Sequence, residues 1–246
     1  MNEKTGHIEE LLDQIRSSLH TIEDAADEEI LNIIEKWHSV SHELKKICVR
    51  NAKHTFENFE NKWVAQTLQF AIDCVPELHR ILLRHYKRAD HLSLLDVGAG
   101  SGVGANLIAS LHADRMIYSK IDVDAIDYID KRLLWAKMQY PKVNYTVEDL
   151  YNLKDRKWDF IFCSHCLEHV PSPREFCQKM VELCKGFVFV YTPYNEIELM
   201  TDHINTITEE FYGDFNVDRI QIFKSMAWRA DRPEDKVILA TLDCRE

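Results

Sequence analysis

The first third of the chain carries apolar residues at the spacing of amphipathic helices. Residues 7–90 contain one proline and no glycine, so little interrupts a helical pattern. Apolar side chains that recur every third or fourth residue share one face of a helix. Because such a face must be buried against something, we expect residues 1–89 to form a helical extension that serves as a lid or joins two copies as a homodimer. The first apolar face holds Ile8, Leu11, Leu12, Ile15, Leu19 and Ile22.

From residue 90 onward, short apolar runs alternate with helical patterns, which is typical of repeated β-α units. We therefore predict a doubly wound α/β domain over residues 90–246, with a mostly parallel sheet and an antiparallel terminal strand pair. The predicted strands span residues 92–97, 116–122, 143–147, 158–164, 186–192, 217–223 and 236–242. The first predicted helix follows the glycine-rich segment and ends near residue 111. The other three span residues 126–139, 171–184 and 206–212.

Composition narrows the class of protein. The chain has 246 residues and a formal net charge of −11, which disfavours duplex nucleic acid as a partner. No apolar run reaches the roughly 18–20 residues of a membrane-spanning helix, and the N-terminus lacks a signal-peptide pattern. The seven cysteines are odd in number and do not follow the spacing of a disulfide framework. These features indicate a cytoplasmic protein without a membrane span.

The strongest local motif is a glycine-rich turn after the first predicted strand. An apolar run ending in Asp96-Val97 leads directly into glycines at every second position from Gly98 to Gly104. Glycine adopts positive φ angles and lets a ligand approach the backbone, and the next helix presents its positive dipole end. In an open sheet such a turn lies at the carboxyl edge of the strands, where ligands bind. The motif therefore predicts a cofactor site.

Two cofactor classes fit glycines at this spacing. Counted from Gly100 to Ala105, the turn satisfies the G-x-G-x-x-A pattern of dinucleotide-binding proteins. Asp96 favours the other class, because a carboxylate two residues before the first glycine would repel a pyrophosphate and would suit an ammonium group. An NAD-dependent oxidoreductase on the same type of sheet is the alternative.

The pattern D-x-G-x-G-x-G at residues 96–102 resembles motif I of the class I S-adenosylmethionine-dependent methyltransferases. Four later segments have the order and spacing of that family, so the resemblance covers about residues 90–246. It implies the class I methyltransferase fold and S-adenosyl-L-methionine as the cofactor. The four segments are Ile121-Asp122-Val123-Asp124, Glu148-Asp149-Leu150, Leu167-Glu168-His169-Val170 and Tyr191-Thr192-Pro193-Tyr194.

The same resemblance assigns roles to individual residues. It implies that Asp122 accepts hydrogen bonds from the cofactor ribose. We expect Asp124 to cap the helix that follows, since aspartate is favoured at helix N-caps. Asp149 would bind the exocyclic amine of adenine, with the Leu150 backbone near the ring. The full set of cofactor-binding residues that the resemblance implies is Asp96, Gly98, Ala99, Gly100, Gly102, Asp122, Val123, Asp149, Leu150 and Ser164.

Four interpretations apply to the reactive side chains at residues 163–169. A redox C-x-x-C pair would normally open a helix, whereas Cys163 lies in strand register. The inverted zinc-peptidase motif H-x-x-E-H matches residues 165–169 in spacing, but it needs a helix that puts both histidines on one face, whereas this segment begins at a strand end. The other two interpretations are a methyltransferase metal site and a metal-free methyltransferase loop in which a histidine orients the loop or acts as a base.

The metal interpretation depends on a further resemblance. Some small-RNA 3′-end and ubiquinone-pathway methyltransferases carry E-x-x-E-H after the fourth strand, and this chain has His165 in place of the first acid. The predicted ligands are His165, Glu168, His169 and His203, which suit zinc, iron or manganese better than magnesium. Methyl transfer needs no metal, so His169, His203 and His165 are also the candidate general bases.

The sequence as a whole favours an S-adenosylmethionine-dependent methyltransferase. The L-E-H-V segment at residues 167–170 resembles that of O-methyltransferases, so we expect the acceptor to be a hydroxyl of a small molecule or saccharide, with a nitrogen acceptor left open. Besides the oxidoreductase, a second alternative is a methyltransferase-like protein that has lost activity and serves as a binding or scaffolding protein.

Overall fold

The computed structural model describes residues 64–114, 119–200 and 202–245. Four α-helices, seven strands and two short 3-10 helices make up this part of the chain. The α-helices are α1 (Val64–His85), α2 (Val103–Leu111), α3 (Asp130–Gln139) and α4 (Pro173–Leu183). The strands are β1 (His91–Val97), β2 (Lys120–Asp127), β3 (Asn144–Val147), β4 (Trp158–Ser164), β5 (Cys184–Tyr194), β6 (Val217–Phe223) and β7 (Lys236–Asp243). The 3-10 helices span Leu150–Asn152 and Glu209–Tyr212.

The strands form one sheet in the order β3-β2-β1-β4-β5-β7-β6. The first five strands of that order pair in parallel, whereas β7 is antiparallel to both β5 and β6. The predicted α/β fold, a mostly parallel sheet with an antiparallel terminal pair, is confirmed. The strand order reverses between β1 and β4, and ligands bind at such a switch point in doubly wound sheets.

Alternating residues along the central strands belong to two hydrophobic cores, one on each face of the sheet. Leu94 and Phe160 pack on the face covered by α1, α2 and α3. Leu95 and Ile161 pack on the opposite face, together with Met180 of α4. Successive side chains of a strand point to opposite faces, and burial on both faces explains why these strands read as continuous apolar runs. Helices on both faces leave the carboxyl edge of the sheet as the place for a site.

The helix α1 belongs with the sheet. The compact unit that holds the sheet begins at Lys62 and so includes this helix, which the sequence pattern placed in the extension. Its apolar face buries Phe70, Leu78 and Ile81 in the core beneath α2. The rest of the predicted extension, residues 1–63, lies outside the described residues, and its role as a lid or dimer contact stays a prediction. Within the described ranges, no helix is both long and apolar enough to cross a membrane.

The second strand lies further along the chain than its predicted range of residues 116–122. It spans Lys120–Asp127, and the next helix begins at Asp130 rather than near residue 126. Asp124, expected to cap that helix, is an internal strand residue whose carboxylate accepts hydrogen bonds from Trp158 and Arg156. These partners come from β4 and the segment before it, and they hold an acidic side chain within the strand.

Candidate active site

The glycine-rich turn follows β1 directly and is folded by positive backbone angles. Gly98, Gly100 and Gly102 have φ of 72°, 54° and 73°, a region that side chains disfavour. The Gly98 and Ala99 N–H groups both donate to the Ile126 carbonyl, at 2.9 and 3.0 Å. The turn is thereby tied to the end of β2, and its residue Gly98 lines the neighbouring cavity.

Gly98 is also sterically required. A Cβ at this position would collide with the Cys166 Sγ of the loop that follows β4. That thiol donates a hydrogen bond to the Val97 carbonyl at 3.4 Å, so it fills the space beside the turn. Cys166 therefore packs against the glycine-rich turn.

Asp127 is the acid at the end of β2. Its Oδ2 accepts a hydrogen bond from the Gly100 N–H at 3.0 Å, and its Oδ1 accepts one from Ile129 at 2.9 Å. The residue is 4% exposed and lines the cavity next to the glycine-rich turn. A carboxylate has further lone pairs that remain available to hydroxyl groups of a ligand.

Asp122 does not occupy that position, and the expectation that it ends the strand is wrong. It pairs with Ser93 early in β2, about 16 Å along the strand from the carboxyl edge. Its carboxylate contacts His91 at 2.6 Å and Lys120 at 3.0 Å. Val123, also predicted at the cofactor, is 2% exposed and packs in the hydrophobic core. Both residues lie away from the cavity.

A cavity of about 600 Å³ opens at the carboxyl edge of the sheet. The loops after β1, β2 and β3 supply Gly98, Asp127, Asp149 and Leu150 to its wall. The segments that follow β4 and β5 supply His165, Cys166, His169 and Asp202. One cavity therefore joins three of the predicted cofactor residues, Gly98, Asp149 and Leu150, to two of the predicted catalytic histidines, His165 and His169.

The segment after β3 lines the cavity. The Asp149 carboxylate accepts a hydrogen bond from the Tyr151 N–H at 3.0 Å and so caps the 3-10 helix. Leu150 is 2% exposed and contributes to the cavity wall. Ser164 ends β4, and its buried Oγ has no hydrogen-bond partner in the described part of the chain. These three positions stay predictions as cofactor contacts.

Asp96 lies beneath the turn in an unusual electrostatic setting. Burial, followed by repulsion from the Asp127 carboxylate, raises the pKa of Asp96 to about 7. The two acids lie near the carboxyl ends of adjacent parallel strands, and the charge of Asp127 disfavours ionisation of Asp96. A cationic group placed beside them would favour the charged form of both.

His165 is held in a strained backbone conformation beside a buried acid. Its φ is 51°, and its ring stacks on Phe70 with centroids 3.9 Å apart. The His165 Nδ1 lies 2.9 Å from the Glu168 Oε1. Burial alone would raise the pKa of Glu168, but the neighbouring His165 and a hydrogen bond from Thr192 outweigh it, and the pKa is lowered. Glu168 is therefore an anion within the core.

Three of the four predicted metal ligands converge. Glu168, His169 and His203 each place a ligand atom within 4.8 Å of the other two. The His169 Nδ1 lies 2.9 Å from the Asp202 carbonyl oxygen, and the His203 Nδ1 lies 2.5 Å from Glu196. His165 contacts Glu168 but lies outside this group of three. The arrangement can hold a divalent ion or present histidine nitrogens to an acceptor.

Several residues at the site were missed by sequence reasoning. Asp127 could have been found, because Ile121, Val123 and Ala125 alternate with polar residues and extend the strand pattern past Asp122. Phe70 and Trp228 carry no sequence signal, since each reaches the histidines from a distant element.

Comparison with known proteins assigns most of the described unit to one family. Residues 65–237 match the family model of a methyltransferase domain. The ubiquinone biosynthesis O-methyltransferase of Rickettsia bellii (strain OSU 85-389) is 30% identical over 154 residues, 55% of this chain and 58% of that protein. The protein of the same name from Nitrosomonas europaea is 34% identical over 111 residues, 41% of this chain and 43% of that protein. The chain thus spans about half the length of the curated relatives it matches.

Solved structures share the fold at low sequence identity. Magnesium protoporphyrin IX methyltransferase of Synechocystis PCC 6803, with bound SAH, gives a TM-score of 0.55 at 13% identity, covering 89% of this chain and 100% of that chain. An N-methyltransferase of Bradyrhizobium japonicum WM9 in complex with S-adenosyl-L-homocysteine gives 0.53 at 13% identity, covering 71% and 87%. At these identities the similarity establishes the fold.

Proposed function

Because this chain belongs to the methyltransferase-domain family, we propose that it transfers the methyl group of S-adenosylmethionine to a hydroxyl of a small molecule. One observation carries the proposal: the glycine-rich turn, the acid at the end of β2 and the histidines after β4 all line one cavity. A cofactor in the first part of that cavity would place its methyl group toward the histidines.

The cofactor would lie along the carboxyl edge with its ribose at Asp127. That carboxylate can accept from both ribose hydroxyls while it keeps the Gly100 N–H. Asp149 is the residue for the adenine amine, with Leu150 beside the ring. The ammonium group of the methionine moiety would lie near Asp96 and Asp127, where its positive charge would favour the ionised form of Asp96.

The proposed reaction is an in-line displacement at the methyl carbon. The acceptor oxygen bonds to that carbon while the bond from the carbon to the sulfonium sulfur breaks, and its electron pair stays on the sulfur. The products are a methyl ether and S-adenosylhomocysteine, and the hydroxyl proton passes to a base. We assign this role to His169, because its Nδ1 contacts the Asp202 carbonyl and its Nε2 is left to accept a proton.

The choice of a hydroxyl acceptor is supported by the relatives. Both curated relatives described above are named O-methyltransferases, and His165 and His169 supply basic groups to the cavity wall. A saccharide hydroxyl and a phenolic hydroxyl are both compatible with these groups.

A divalent metal is the other use of the same histidines. Glu168, His169 and His203 fit zinc, iron or manganese in ligand type, and their ligand atoms converge. His169 and His203 each place Nδ1 against an oxygen, as histidines do when Nε2 binds a metal. A bound ion would lower the pKa of the acceptor hydroxyl. An imidazole whose Nε2 holds an ion cannot also take the proton, so metal content distinguishes the two arrangements.

Isothermal titration with S-adenosylmethionine tests the cofactor. We expect the natural chain to bind it and Gly98→Arg to lose binding, because the substitution adds a long side chain at a positive φ. Gly213→Arg is the matched control, since Gly213 is exposed and has an ordinary φ. Absence of binding by the natural chain would overturn the proposal, and so would equal affinity of Gly98→Arg and Gly213→Arg.

Transfer of a labelled methyl group tests the acceptor and the proton path. A panel of phenols, catechols, sugars and amines should take label at hydroxyls, and label on amines alone would overturn O-methylation. Metal analysis of the same samples should include His169→Ala, His203→Ala and the remote control His91→Ala. Stoichiometric metal lost in the first two variants supports the metal site, whereas activity in metal-free protein supports the histidine base.

A further inference from the structure

The segment after β5 is clasped to the β6–β7 loop by a buried carboxylate. Glu196 is 5% exposed, and it meets three groups at once. Its Oε1 accepts hydrogen bonds from the Arg229 guanidinium at 2.8 Å and the Met200 N–H at 3.1 Å. Its Oε2 lies 2.5 Å from the His203 Nδ1. We propose that Glu196 and Arg229 are positioning residues that hold His203 as the Nδ1–H tautomer, with Nε2 directed to Glu168 and His169.

A buried charge persists only where it is paired and hydrogen-bonded. Glu196 meets this condition through Arg229, because the guanidinium neutralises it and occupies one of its two oxygens. The second oxygen then faces the His203 ring edge. A carboxylate accepts hydrogen bonds and donates none, so the neutral imidazole must carry its proton on Nδ1. The other ring nitrogen is consequently a lone-pair acceptor.

The β6–β7 loop fixes the remaining freedom of the ring. Trp228 stacks on His203 with planes inclined by 13° and centroids 5.6 Å apart. The Lys224 ammonium donates to the carbonyls of Arg229, at 2.6 Å, and Asp235, at 2.9 Å, which folds the loop around one charged group. His203 is therefore held at its edge by Glu196 and at its face by Trp228.

The catalytic role of His203 rests on the proposed function. Its tautomer does not, because it follows from the contacts of Glu196 alone. An Nε2 lone pair can receive a proton or bind a metal, whereas a protonated Nε2 can do neither. The contacts of Glu196 with Arg229 and His203 thus leave the His203 Nε2 able either to accept a proton or to bind a metal.

Glu196→Gln is the sharpest test, because it preserves shape and removes one acceptor. Arg229 and the Met200 N–H are both donors, so the amide oxygen must face them. The amide NH₂ group then faces the His203 Nδ1 and forces the proton to Nε2. We expect the isosteric change to invert the tautomer, and to lower kcat about 10- to 100-fold with little change in the KM for the cofactor.

Long-range ¹H–¹⁵N NMR of the imidazoles measures the tautomer, with the His203 signal assigned by its loss in His203→Ala. Glu198→Gln is the matched control, since Glu198 lies on the same segment with an exposed carboxylate that meets Arg232. The natural chain and this control should show Nδ1–H, and Glu196→Gln should show Nε2–H. An Nε2–H tautomer in the natural chain, a measurement that needs no variant to fold, would overturn the inference.

Activity separates the two proposals. If Glu196→Gln inverts the His203 tautomer but the natural chain transfers no methyl group, the inference about Glu196 stands and the proposed function is rejected. Methyl transfer that is unchanged in Glu196→Gln would reject the positioning role and leave the proposed function standing.

Discussion

The Phe70 ring lies flat on the His165 imidazole, with centroids 3.9 Å apart and planes inclined by 12°. Phe70 comes from α1 and His165 follows β4, so the contact joins a helix that the sequence assigned to a separate extension with a loop that lines the cavity. His165 has a φ of 51°, which a residue other than glycine disfavours. The stacked ring helps to hold the imidazole in that conformation.

Removing the Phe70 ring should therefore affect both stability and activity. Phe70 is 6% exposed, and Phe70→Ala should lower the free energy of unfolding by about 3–5 kcal/mol because it leaves a cavity. Leu83→Ala on the same helix should change it by less than about 0.5 kcal/mol, since Leu83 is 72% exposed. Urea unfolding measures the difference. Equal losses in the two variants would contradict the packing of α1 on the site.

The acid beneath the turn should make stability fall with rising pH. The pKa of Asp96 is raised from 3.8 to about 7 by burial and by Asp127, so the folded chain keeps a proton that the unfolded chain releases. Stability from this group is complete below pH 4 and is lost as pH rises to about 7, by roughly 4 kcal/mol at most.

Asp96→Asn should remove that dependence, and its advantage over the natural chain should grow between pH 5 and pH 8. Asp122→Asn is the control, because Asp122 is exposed and its pKa is lowered. Urea unfolding at pH 5, 6.5 and 8 provides the comparison. A stability difference between Asp96→Asn and the natural chain that stays constant over this range would show that Asp96 titrates normally.

The contact between Gly98 and Cys166 predicts a partial rescue. Gly98→Ala should weaken cofactor binding for two reasons, the positive φ of 72° and the collision with the Cys166 Sγ. Cys166→Ala should relieve the collision and leave the backbone strain, which is of order 1–3 kcal/mol. The double variant should consequently bind S-adenosylhomocysteine more tightly than Gly98→Ala and less tightly than the natural chain, as measured by calorimetry. Identical affinity of the single and double variants would show that strain alone matters.

The two acids of β2 should differ in their effect on the cofactor. Asp127→Asn should weaken S-adenosylhomocysteine binding by about 10- to 100-fold, because charged hydrogen bonds contribute about 1.5–3 kcal/mol. Asp122→Asn should change the affinity less than twofold, as its carboxylate is bound to His91 and Lys120. Calorimetry on both variants decides which acid serves the ribose. A loss confined to Asp122→Asn would restore the role that the sequence implied.

Local sequence patterns were sufficient to predict the fold. The turn from Asp96 to Gly102 is contiguous in sequence, and its resemblance to class I S-adenosylmethionine-dependent methyltransferases is confirmed. The strand at residues 158–164 was predicted with its observed bounds, since both of its faces are apolar and a turn follows it. These features depend on neighbours in the chain, which a sequence displays directly.

Features that depend on distant partners could not be predicted. The predicted β2 ended too early, because acids are depleted in strands and the neutralising partner of Asp124, Arg156, comes from the distant segment before β4. The contact of Glu196 with Arg229 joins residues 33 positions apart, and neither residue type indicates the other. Such pairs are fixed by tertiary structure. The position of His203 in the site could therefore be read from the fold but not from the local sequence.

The strand β7 follows β6 in the chain but lies between β6 and the rest of the sheet. Until β7 is synthesised, β5 has an unpaired edge and β6 has no neighbour in the sheet. Six of the eight residues of β7 are buried, so the surface that waits for it is largely apolar. An apolar strand edge of this kind recruits other strands and chaperones. A nascent chain of this protein therefore passes through an interval of aggregation risk that ends only when residues 236–243 leave the ribosome.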